Sequence, residues 1–343
     1  MLRLTSFAAR GFRSLAEVEL ADLPRVVLLY GENNVGKSNL IQAVDLWFRL
    51  LRAAAGVWPL PLPGHEPEMR LCEEARLELE ALERPELLFG QEPGRLPRDG
   101  QSSFELEGTL RVAEEHDFVF GFRTSVIAGE PWPRVELLRA LAPGPARIGS
   151  PLASTDLRLL GLRQELAHGW LRLEAARRFW PERLAQQREN GEAALAGDGS
   201  NVKRQLFSAA HGVQTAPRRL VEESFVPLVR RALPGLAPPL SLHDEEFVHL
   251  YLGERRVEDC GSGVQQWVLL TALLALSRAA VIGIEEPEDH LSWSMQKTVA
   301  EALAAVIHDP GRPPYQLIAS THSELMEGMS LDGSWYRVTL EQG

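Results

Sequence analysis

The stretch GENNVGKS, Gly31 to Ser38, decides the fold of this 343-residue chain. It matches the pattern G-x-x-x-x-G-K-[ST], in which backbone N–H groups and a lysine surround the phosphates of a nucleotide. The apolar run RVVLLY (25–30) precedes it, and NLIQAVDLWFRLLRAA (39–54) follows with apolar residues at helical spacing. Because the motif needs a strand before the loop and a helix after it, these flanks argue against a chance match in a glycine-rich turn.

Each fixed position of this phosphate loop has a physical task. Gly31 and Gly36 let backbone N–H groups turn toward phosphate oxygens, and the new helix points its positive dipole end at the same anions. We expect Lys37 to reach the β- and γ-phosphates and Ser38 to bind Mg²⁺ through its hydroxyl. The sequence therefore predicts ATP and Mg²⁺ as ligands.

The second informative stretch is VIGIEEPEDHL, Val281 to Leu291. An apolar run of this length, preceded by the helix-like LLTALLALSRAA, predicts a buried strand of a parallel sheet, which delivers its terminal side chains to a cleft. Two adjacent carboxylates at that end need a cation. We expect Glu285 to position Mg²⁺ and Glu286 to orient the attacking water.

Composition narrows the class of protein. A hydrophobic content of 45% is ordinary for a globular protein, and no run approaches the length of an uncharged membrane span. The N-terminus lacks the apolar core of a signal peptide, and the two cysteines are Cys72 and Cys260. We expect a cytoplasmic protein with no membrane association.

The net charge of −11 argues against a protein coated by nucleic acid, but the charge is uneven along the chain. Residues 160–231 contain twelve Arg or Lys and eight Asp or Glu, which makes this segment basic within an acidic chain. Arg177, Arg178, Arg183 and Arg188 are expected along one helical region. This basic region is a candidate DNA-binding surface, and a solvated helical face is the alternative.

The pattern along the chain predicts an α/β fold with a mixed sheet core, an antiparallel β subdomain and an inserted helical lobe. Residues 1–155 form the predicted nucleotide-binding lobe, in which SFELEGTLRV and HDFVFGFRTSV alternate as antiparallel strands do. Residues 156–235 form the predicted helical lobe. Residues 236–343 return to alternating helix and strand.

Two further motifs flank the acidic strand. In EDCGSGVQQWVLL, a Gly-Ser-Gly turn opens an apolar helix, so Ser262 and Gly263 either contact a partner's nucleotide at an anion-binding helix start or form a plain N-cap. In YQLIASTHSELM, His322 follows an apolar strand, where it either senses a γ-phosphate or is structural. The position of His322 after VIGIEE favours the first role.

With these motifs in order, the chain resembles the ABC-type ATPases of the RecF, SMC and overcoming-lysogenization-defect (OLD) group. The resemblance covers the whole chain. GENNVGKSNL looks like the family's phosphate loop, and GSGVQQ stands where its signature falls. VIGIEEPEDHL looks like its Walker B strand and D-loop, and STHSELM resembles its switch-histidine motif. It implies a P-loop ABC-type head that forms a head-to-tail homodimer around two ATP molecules. Glu286 and His322 are then the catalytic residues, and Ser38 and Glu285 bind the metal. The implied nucleotide contacts are Gly31, Asn33, Asn34, Gly36, Lys37, Ser38, Asn39, Ser262 and Gly263.

Several features depart from the family pattern. Cys260 to Gly263 replace the usual Leu-Ser-Gly-Gly of the signature, and Ser292-Trp293 replaces the common His-Pro after the D-loop. The Q-loop glutamine is open among Gln91, Gln101 and Gln164. The Asp-x-Asp pair of a Toprim nuclease is absent from the sequence, so we expect an OLD-like ATPase without that domain. HDEEFVH (243–249) fits no common metal-ligand spacing and suits strand alternation better.

These expectations favour an ATP-driven dimeric switch in DNA repair or antiphage defence, which engages DNA or controls a separate effector such as a nuclease. The alternative is the nucleotide-binding subunit of a membrane transporter, which shares the ATP sandwich. A third reading is a scaffold that holds a partner and hydrolyses ATP slowly as a timer.

Overall fold

The computed structural model describes residues 2–32, 35–56, 101–112, 116–127, 134–143, 148–151, 162, 165–166, 168–182, 195–212, 215–233, 240–244, 247–307, 316–329 and 335–337. The chain divides into two compact units. The first comprises Met1–Arg25, Gly31–Trp170 and Val338–Gly343, and the second comprises Val26–Tyr30 and Leu171–Arg337. Asn33, Asn34, Gln91 and Gln164 lie outside the described residues.

The strands are β1 (Leu2–Phe12), β2 (Leu15–Leu20), β3 (Val26–Tyr30), β4 (Gln101–Val112), β5 (His116–Ile127), β6 (Arg134–Pro143), β7 (Ile148–Pro151), β8 (Trp170–Leu173), β9 (Leu240–Asp244), β10 (Val248–Leu252), β11 (Arg255–Arg256), β12 (Val281–Glu285), β13 (Gln316–Thr321) and β14 (Trp335–Arg337). The helices are α1 (Lys37–Gly56), α2 (Val202–His211), α3 (Thr215–Leu220), α4 (Val226–Ala232), α5 (Ser262–Leu276) and α6 (Trp293–Ile307). A π-helical turn, Val221–Phe225, joins α3 to α4. Short 3₁₀ turns span Val257–Asp259 and Glu324–Met329.

The first unit is built on a six-stranded sheet in the order β2-β1-β4-β5-β6-β7. Every pairing in it is antiparallel. The predicted antiparallel pair is confirmed, since β4 and β5 pair along their whole lengths from Gln101 opposite Ile127 to Val112 opposite His116. Their alternating apolar residues Phe104, Leu106, Phe118 and Phe120 are buried, as the period of a half-buried sheet requires.

Helix α1 packs on this sheet through its aromatic residues. Trp47 is fully buried and donates from Nε1 to the carbonyl oxygen of Phe120 at 3.0 Å. The indole lies over Gly108 so closely that a Cβ at Gly108 would stand 2.7 Å from Trp47 Cζ2. Phe48 stacks on Trp170 with ring centroids 5.2 Å apart, and Trp170 Nε1 donates to Asp45 Oδ1 at 2.8 Å. The predicted helix after the phosphate loop is thus present and anchored.

The second unit contains a five-stranded sheet in the order β14-β3-β13-β12-β8. Strand β13 is parallel to both β12 and β3, and β14 is parallel to β3. All residues of β12 and β13 are buried, as expected of parallel strands that are covered on both faces. The prediction of a buried strand from VIGIEE is therefore confirmed. A second sheet in this unit has the order β11-β10-β9.

Helix α5 is apolar on all sides, and its residues from Trp267 to Ala275 are all buried. A helix of this kind is stable only inside a core. The core around it includes Val26 and Leu28 of β3, Ile282 and Ile284 of β12, and residues of α2, α4 and α6. In the described part of the chain, no helix is both long enough and apolar enough to cross a membrane.

Strand β8 corrects one part of the sequence analysis, which predicted a helical pattern for 156–235 with breaks at Trp180-Pro181 and at 197–199. Trp170–Leu173 instead forms the edge strand next to β12, and residues 174–182 form neither helix nor strand. The local sequence WLRL is too short to show a period, and its strand conformation depends on pairing with a distant part of the chain. In the described part of this region, Leu162, Glu165 and Leu166 are helical, and α2 follows at Val202.

Candidate active site

Three strand ends of the parallel sheet meet at one edge. Glu285, the last residue of β12, pairs with Ser320 of β13, and Ser320 pairs with Leu29 of β3. The next residue of β13, Thr321, pairs with Tyr30. Because the carboxyl ends of parallel strands lie at the same edge, the chain leaves the sheet there at Glu286 and at His322. The sheet therefore brings the predicted Walker B and switch-histidine residues together.

The phosphate loop is described in the first unit except for Asn33 and Asn34. Gly36 has a φ of +101°, and a Cβ there would stand 3.1 Å from Leu15 Cδ2 and 3.2 Å from Ser14 Oγ. Only glycine suits this backbone conformation and this space. Lys37 begins α1 and is buried, and its Nζ donates to the carbonyl oxygens of Gly31 at 2.7 Å and Glu32 at 2.6 Å. The loop therefore wraps around its own lysine.

The two residues after Lys37 have different surroundings. Ser38 is half-buried in the first turn of α1. Asn39 donates from Nδ2 to Ser14 Oγ at 2.7 Å, which fixes the start of the helix against the turn between β1 and β2. The nucleotide contact of Asn39 stays a prediction, and its side chain has this structural role.

Glu285 is held by an arginine that the sequence analysis did not single out. Arg172 of β8 donates from Nε to Glu285 Oε1 at 2.6 Å, and the two side chains are 18% and 6% exposed. A carboxylate so little exposed needs a positive partner, because burial of an unpaired charge is costly. Arg172 supplies that charge, and its place on β8, the neighbour of β12, brings it there.

Glu286 has an unusual backbone. Its φ is +44°, the left-handed region, where a residue with a Cβ is strained by about 1–2 kcal/mol. Its N–H donates to the Ser320 carbonyl oxygen at 2.9 Å, and its own carbonyl oxygen accepts from Asp289 N at 3.1 Å. Strained residues that persist in this way are concentrated at functional sites.

Arg177 lies behind the end of β12 and is only 1% exposed. Its Nη1 donates to the carbonyl oxygens of Glu174 at 2.7 Å and Glu285 at 2.9 Å, and its Nη2 donates to that of Glu286 at 3.2 Å. Burial lowers the pKa of the Arg177 guanidinium to about 10, and the nearby Asp289 and Glu288 carboxylates oppose that shift. Arg177 thus remains a cation at neutral pH.

Glu288 joins the D-loop to the switch histidine. It is 2% exposed, and its Oε1 accepts from Thr321 Oγ1 at 2.6 Å and from His322 N at 2.9 Å. His322 Nδ1 lies 3.3 Å from the same oxygen, while half of the His322 side chain is exposed. A second hydrogen bond joins the switch motif to α6, since Ser323 Oγ donates to Gln296 Oε1 at 2.8 Å. His322 is therefore oriented by the D-loop and has one face open to solvent.

The signature segment opens α5. The N-cap of this helix is Gly261, which has no side chain, and Ser262 is the exposed first residue, so the plain N-cap reading of Ser262 is wrong. Gly263 approaches the D-loop, since a Cβ there would stand 3.0 Å from the His290 carbonyl oxygen. Gln265 Nε2 donates to the carbonyl oxygens of Glu258 at 3.0 Å and Cys260 at 2.8 Å.

The predicted basic surface loses several members. Arg177 and Lys203 are buried, and Lys203 Nζ pairs with Glu258 Oε1 at 2.7 Å. Arg177 and Arg178 lie in the irregular segment 174–182, and Arg178 stacks on Trp180 with its Cζ 3.9 Å from the ring centroid. Arg177 and Lys203 therefore serve the interior, because buried cations need partners, whereas Arg178 is exposed. Arg183 and Arg188 lie outside the described residues.

The residues present suit Mg²⁺ bound together with a nucleotide. Among the described residues, no group of three or more His, Cys, Asp or Glu side chains is arranged to hold a metal ion alone. Mg²⁺ typically takes one or two protein oxygen ligands and completes its shell with phosphates and water. The Glu285 carboxylate and the Ser38 hydroxyl have that chemistry.

Arg172, Arg177 and Glu288 are the residues that sequence reasoning missed. A signal for Arg172 was present: a buried pair of glutamates requires a counter-charge, and an arginine inside the apolar run WLRL is a candidate. No sequence signal identifies Arg177, because its partners are backbone carbonyl oxygens of a distant strand.

Comparison with known proteins agrees with this geometry. The family described as "AAA domain, putative AbiEii toxin, Type IV TA system" matches residues 26–327. The DNA replication and repair protein RecF of Anaeromyxobacter sp. (strain Fw109-5) is 49% identical over 43 residues, and the same identity is found with RecF of Anaeromyxobacter dehalogenans (strain 2CP-1 / ATCC BAA-258). Each match covers 12% of this chain and 12% of the RecF protein, so the chain spans about an eighth of the length of these curated relatives.

The fold is similar to that of SMC head domains. An SmcHead bound to the C-terminal winged-helix domain of ScpA has a TM-score of 0.52 at 14% identity, with 95% of this chain and 91% of that chain covered. An Smc head with an extended coiled coil, bound to the C-terminal domain of ScpA derived from Pyrococcus furiosus, has a TM-score of 0.51 at 14% identity, with 96% and 92% covered. The family match over most of the chain shows that it belongs to that AAA-domain family, and its fold is that of SMC heads.

Proposed function

We propose that this chain binds ATP with Mg²⁺, hydrolyses it, and uses the cycle as a dimeric switch in DNA repair or antiphage defence. One observation carries the proposal: Glu285 ends β12, with Glu286 next to it, at the same edge of the sheet where the neighbouring strand β13 leads to His322. This arrangement of strand ends suits phosphoryl transfer, which depends on positioning and on neutralisation of charge.

The residues then have separable tasks. Lys37 and the backbone N–H groups of the phosphate loop bind the phosphates, and Glu285 and Ser38 hold the metal. When bound, Mg²⁺ neutralises charge that develops on the β- and γ-phosphate oxygens. Glu286 orients the attacking water and accepts its proton, and His322 contacts the γ-phosphate from the neighbouring strand end.

The proposed dimer is head to tail, with Ser262 and Gly263 of one subunit facing the nucleotide of the other. Ser262 is exposed at the start of α5, where no side chain caps the helix, so the backbone N–H groups at this helix start are available to an anion. Trp293, at the start of α6 beside the D-loop, is 70% exposed, and aromatic side chains are enriched at protein interfaces. Both observations support a partner on this face.

The target is DNA, a separate effector protein, or both. The match with RecF, a DNA replication and repair protein, supports DNA, and the SMC heads bound to ScpA domains support a protein partner. The resemblance to OLD proteins further suggests that the effector is a separate protein such as a nuclease. The RecF match and the SMC-head fold favour this class over the transporter subunit.

The decisive experiment measures ATP hydrolysis by the purified chain with duplex DNA, with single-stranded DNA and without DNA, alongside Glu286→Gln. The proposal expects Mg²⁺-dependent phosphate release that the variant loses. Stimulation by DNA supports a DNA target, and equal rates in all three conditions support a protein effector. Hydrolysis that persists in Glu286→Gln at the wild-type rate would contradict the catalytic assignment.

A further inference from the structure

The strained backbone of Glu286 is held from both sides. Its N–H is fixed by the Ser320 carbonyl oxygen of β13, and its carbonyl oxygen accepts from Arg177 Nη2. The preceding peptide is fixed as well, since Arg177 Nη1 donates to the Glu285 carbonyl oxygen. Because the backbone of a residue aims its side chain, these contacts determine where the Glu286 carboxylate points.

Arg177 is in turn held by the signature helix. Its carbonyl oxygen accepts from Gln266 Nε2 at 2.9 Å. Gln266 lies one turn into α5, after Ser262 and Gly263. A short path of hydrogen bonds therefore runs from the start of α5, through Gln266 and Arg177, to the backbone of Glu286.

Stability alone does not explain a buried arginine at this place. Arginine is costly to bury, and an apolar side chain of similar volume is often neutral or better for stability. Backbone carbonyl oxygens at a strand end are usually satisfied by the neighbouring strand or by water. The guanidinium offers what these partners lack: several donors in one rigid plane, which fix adjacent peptide groups relative to each other.

We propose that Arg177 is a positioning residue that sets the conformation of Glu286 and links it to the signature helix through Gln266. This inference rests on the proposed function, because only an ATPase dimer gives the signature helix a nucleotide to bind. In that dimer, the contact of Ser262 with the partner's nucleotide would reach Glu286 of its own subunit along this path.

Gln266→Met is the most selective variant. Methionine keeps the length and helix propensity of glutamine but cannot donate to Arg177. Gln266 Oε1 is buried and has no hydrogen-bond partner among the described residues, so methionine also removes an unsatisfied atom. The fold should tolerate this exchange.

Gln265→Met is the matched control. Gln265 is the neighbouring glutamine, and its side chain also donates to backbone carbonyl oxygens, but those belong to Glu258 and Cys260 before the helix. The two variants make the same chemical change on the same helical turn. Only the Gln266 variant breaks the path to Arg177.

The experiment combines hydrogen exchange with steady-state kinetics. In Gln266→Met, backbone amides in residues 286–291 should exchange about 3- to 10-fold faster than in the wild type, as expected for one lost hydrogen bond. In Gln265→Met, exchange in that segment should be unchanged. The kcat for ATP should fall about tenfold in Gln266→Met while KM stays within about twofold, because a misplaced catalytic group costs rate rather than binding. Arg177→Lys, which keeps the charge and can still donate but loses the rigid planar set of donors, should retain more activity than Arg177→Met.

Equal exchange of residues 286–291 in wild type and Gln266→Met would overturn the inference, and so would an increase of KM with unchanged kcat. Absence of ATP hydrolysis in the wild type would contradict the proposed function instead. The exchange comparison still decides the link between Gln266 and Glu286 in that case, because it needs no turnover.

Discussion

Replacement of Arg172 by methionine should make the stability of the chain depend on Mg²⁺ and nucleotide. The wild-type guanidinium lies 2.6 Å from Glu285 Oε1, and the two side chains are 18% and 6% exposed. Methionine keeps most of the apolar stem of arginine but removes the cation. The Glu285 carboxylate then lacks its charged donor in a place with little water.

The free-energy cost follows from that geometry. Removal of one partner from a buried ion pair costs about 3–5 kcal/mol. Arg172 retains some exposure, and Arg177 still donates to the Glu285 carbonyl oxygen, so we expect a loss of about 2–3 kcal/mol. Since 1 kcal/mol shifts the midpoint of a domain of 150–250 residues by about 2–4 °C, the Tm should fall by about 4–12 °C.

The assay is thermal unfolding in EDTA and in saturating Mg²⁺ with a non-hydrolysable ATP analogue. A ligand that binds only the folded state raises Tm, and Mg²⁺ supplies the positive charge that the variant lacks at Glu285. In the wild type, the metal has to compete with Arg172 for the same carboxylate. The rise in Tm on adding Mg²⁺ and nucleotide should therefore be larger in Arg172→Met than in the wild type.

Arg204→Met provides the control. Arg204 Nε lies 3.5 Å from Glu182 Oε2, and its side chain is also 18% exposed against a carboxylate that is 1% exposed. The Tm of this variant should fall, but Mg²⁺ and nucleotide should raise its Tm by no more than they raise that of the wild type. An equal rise in Tm on adding Mg²⁺ and nucleotide in the two arginine variants would refute the assignment of Glu285 as the carboxylate that binds the metal.

Three further predictions address catalysis, assembly and packing. Glu286→Gln should keep ATP binding but lower phosphate release by about 10²- to 10⁴-fold, the range for loss of a general base; unchanged release would refute its role. Lys37→Ala should abolish the ATP-dependent increase in mass seen by light scattering, since the loop loses its phosphate-binding cation; a dimer that forms regardless would count against the ATP sandwich. Gly108→Ala should lower the free energy of unfolding by about 1–3 kcal/mol, because the added methyl group would meet the Trp47 ring at 2.7 Å; urea unfolding measures this, and an unchanged midpoint would show that Trp47 can move away.

The local motifs were predictable from the sequence. The phosphate loop, the buried strand β12 and the apolar helix α5 carry their own signals in residue type and period. The antiparallel pair of β4 and β5 was predictable for the same reason. Each of these elements depends mainly on residues within its own segment.

The partners of the glutamates were not predictable in that way. Strand β8 has four residues, and its pairing with β12 joins parts of the chain that are far apart in sequence. The hydrogen bonds of Arg177 go to carbonyl oxygens, which every residue has, so no residue type marks them. The buried role of Lys203 likewise depends on Glu258, which lies outside the region whose charge was counted.

The carboxylate of Glu288 has a consequence for how this sequence can diverge. One oxygen atom accepts hydrogen bonds from both Thr321 and His322, so the D-loop and the switch motif share a single anchor. A substitution at Glu288 removes the support of both segments at once, and a change at Thr321 leaves a buried carboxylate with one donor fewer. Positions 288 and 321 are therefore expected to be inherited as a pair across relatives, even where the surrounding loop sequence drifts.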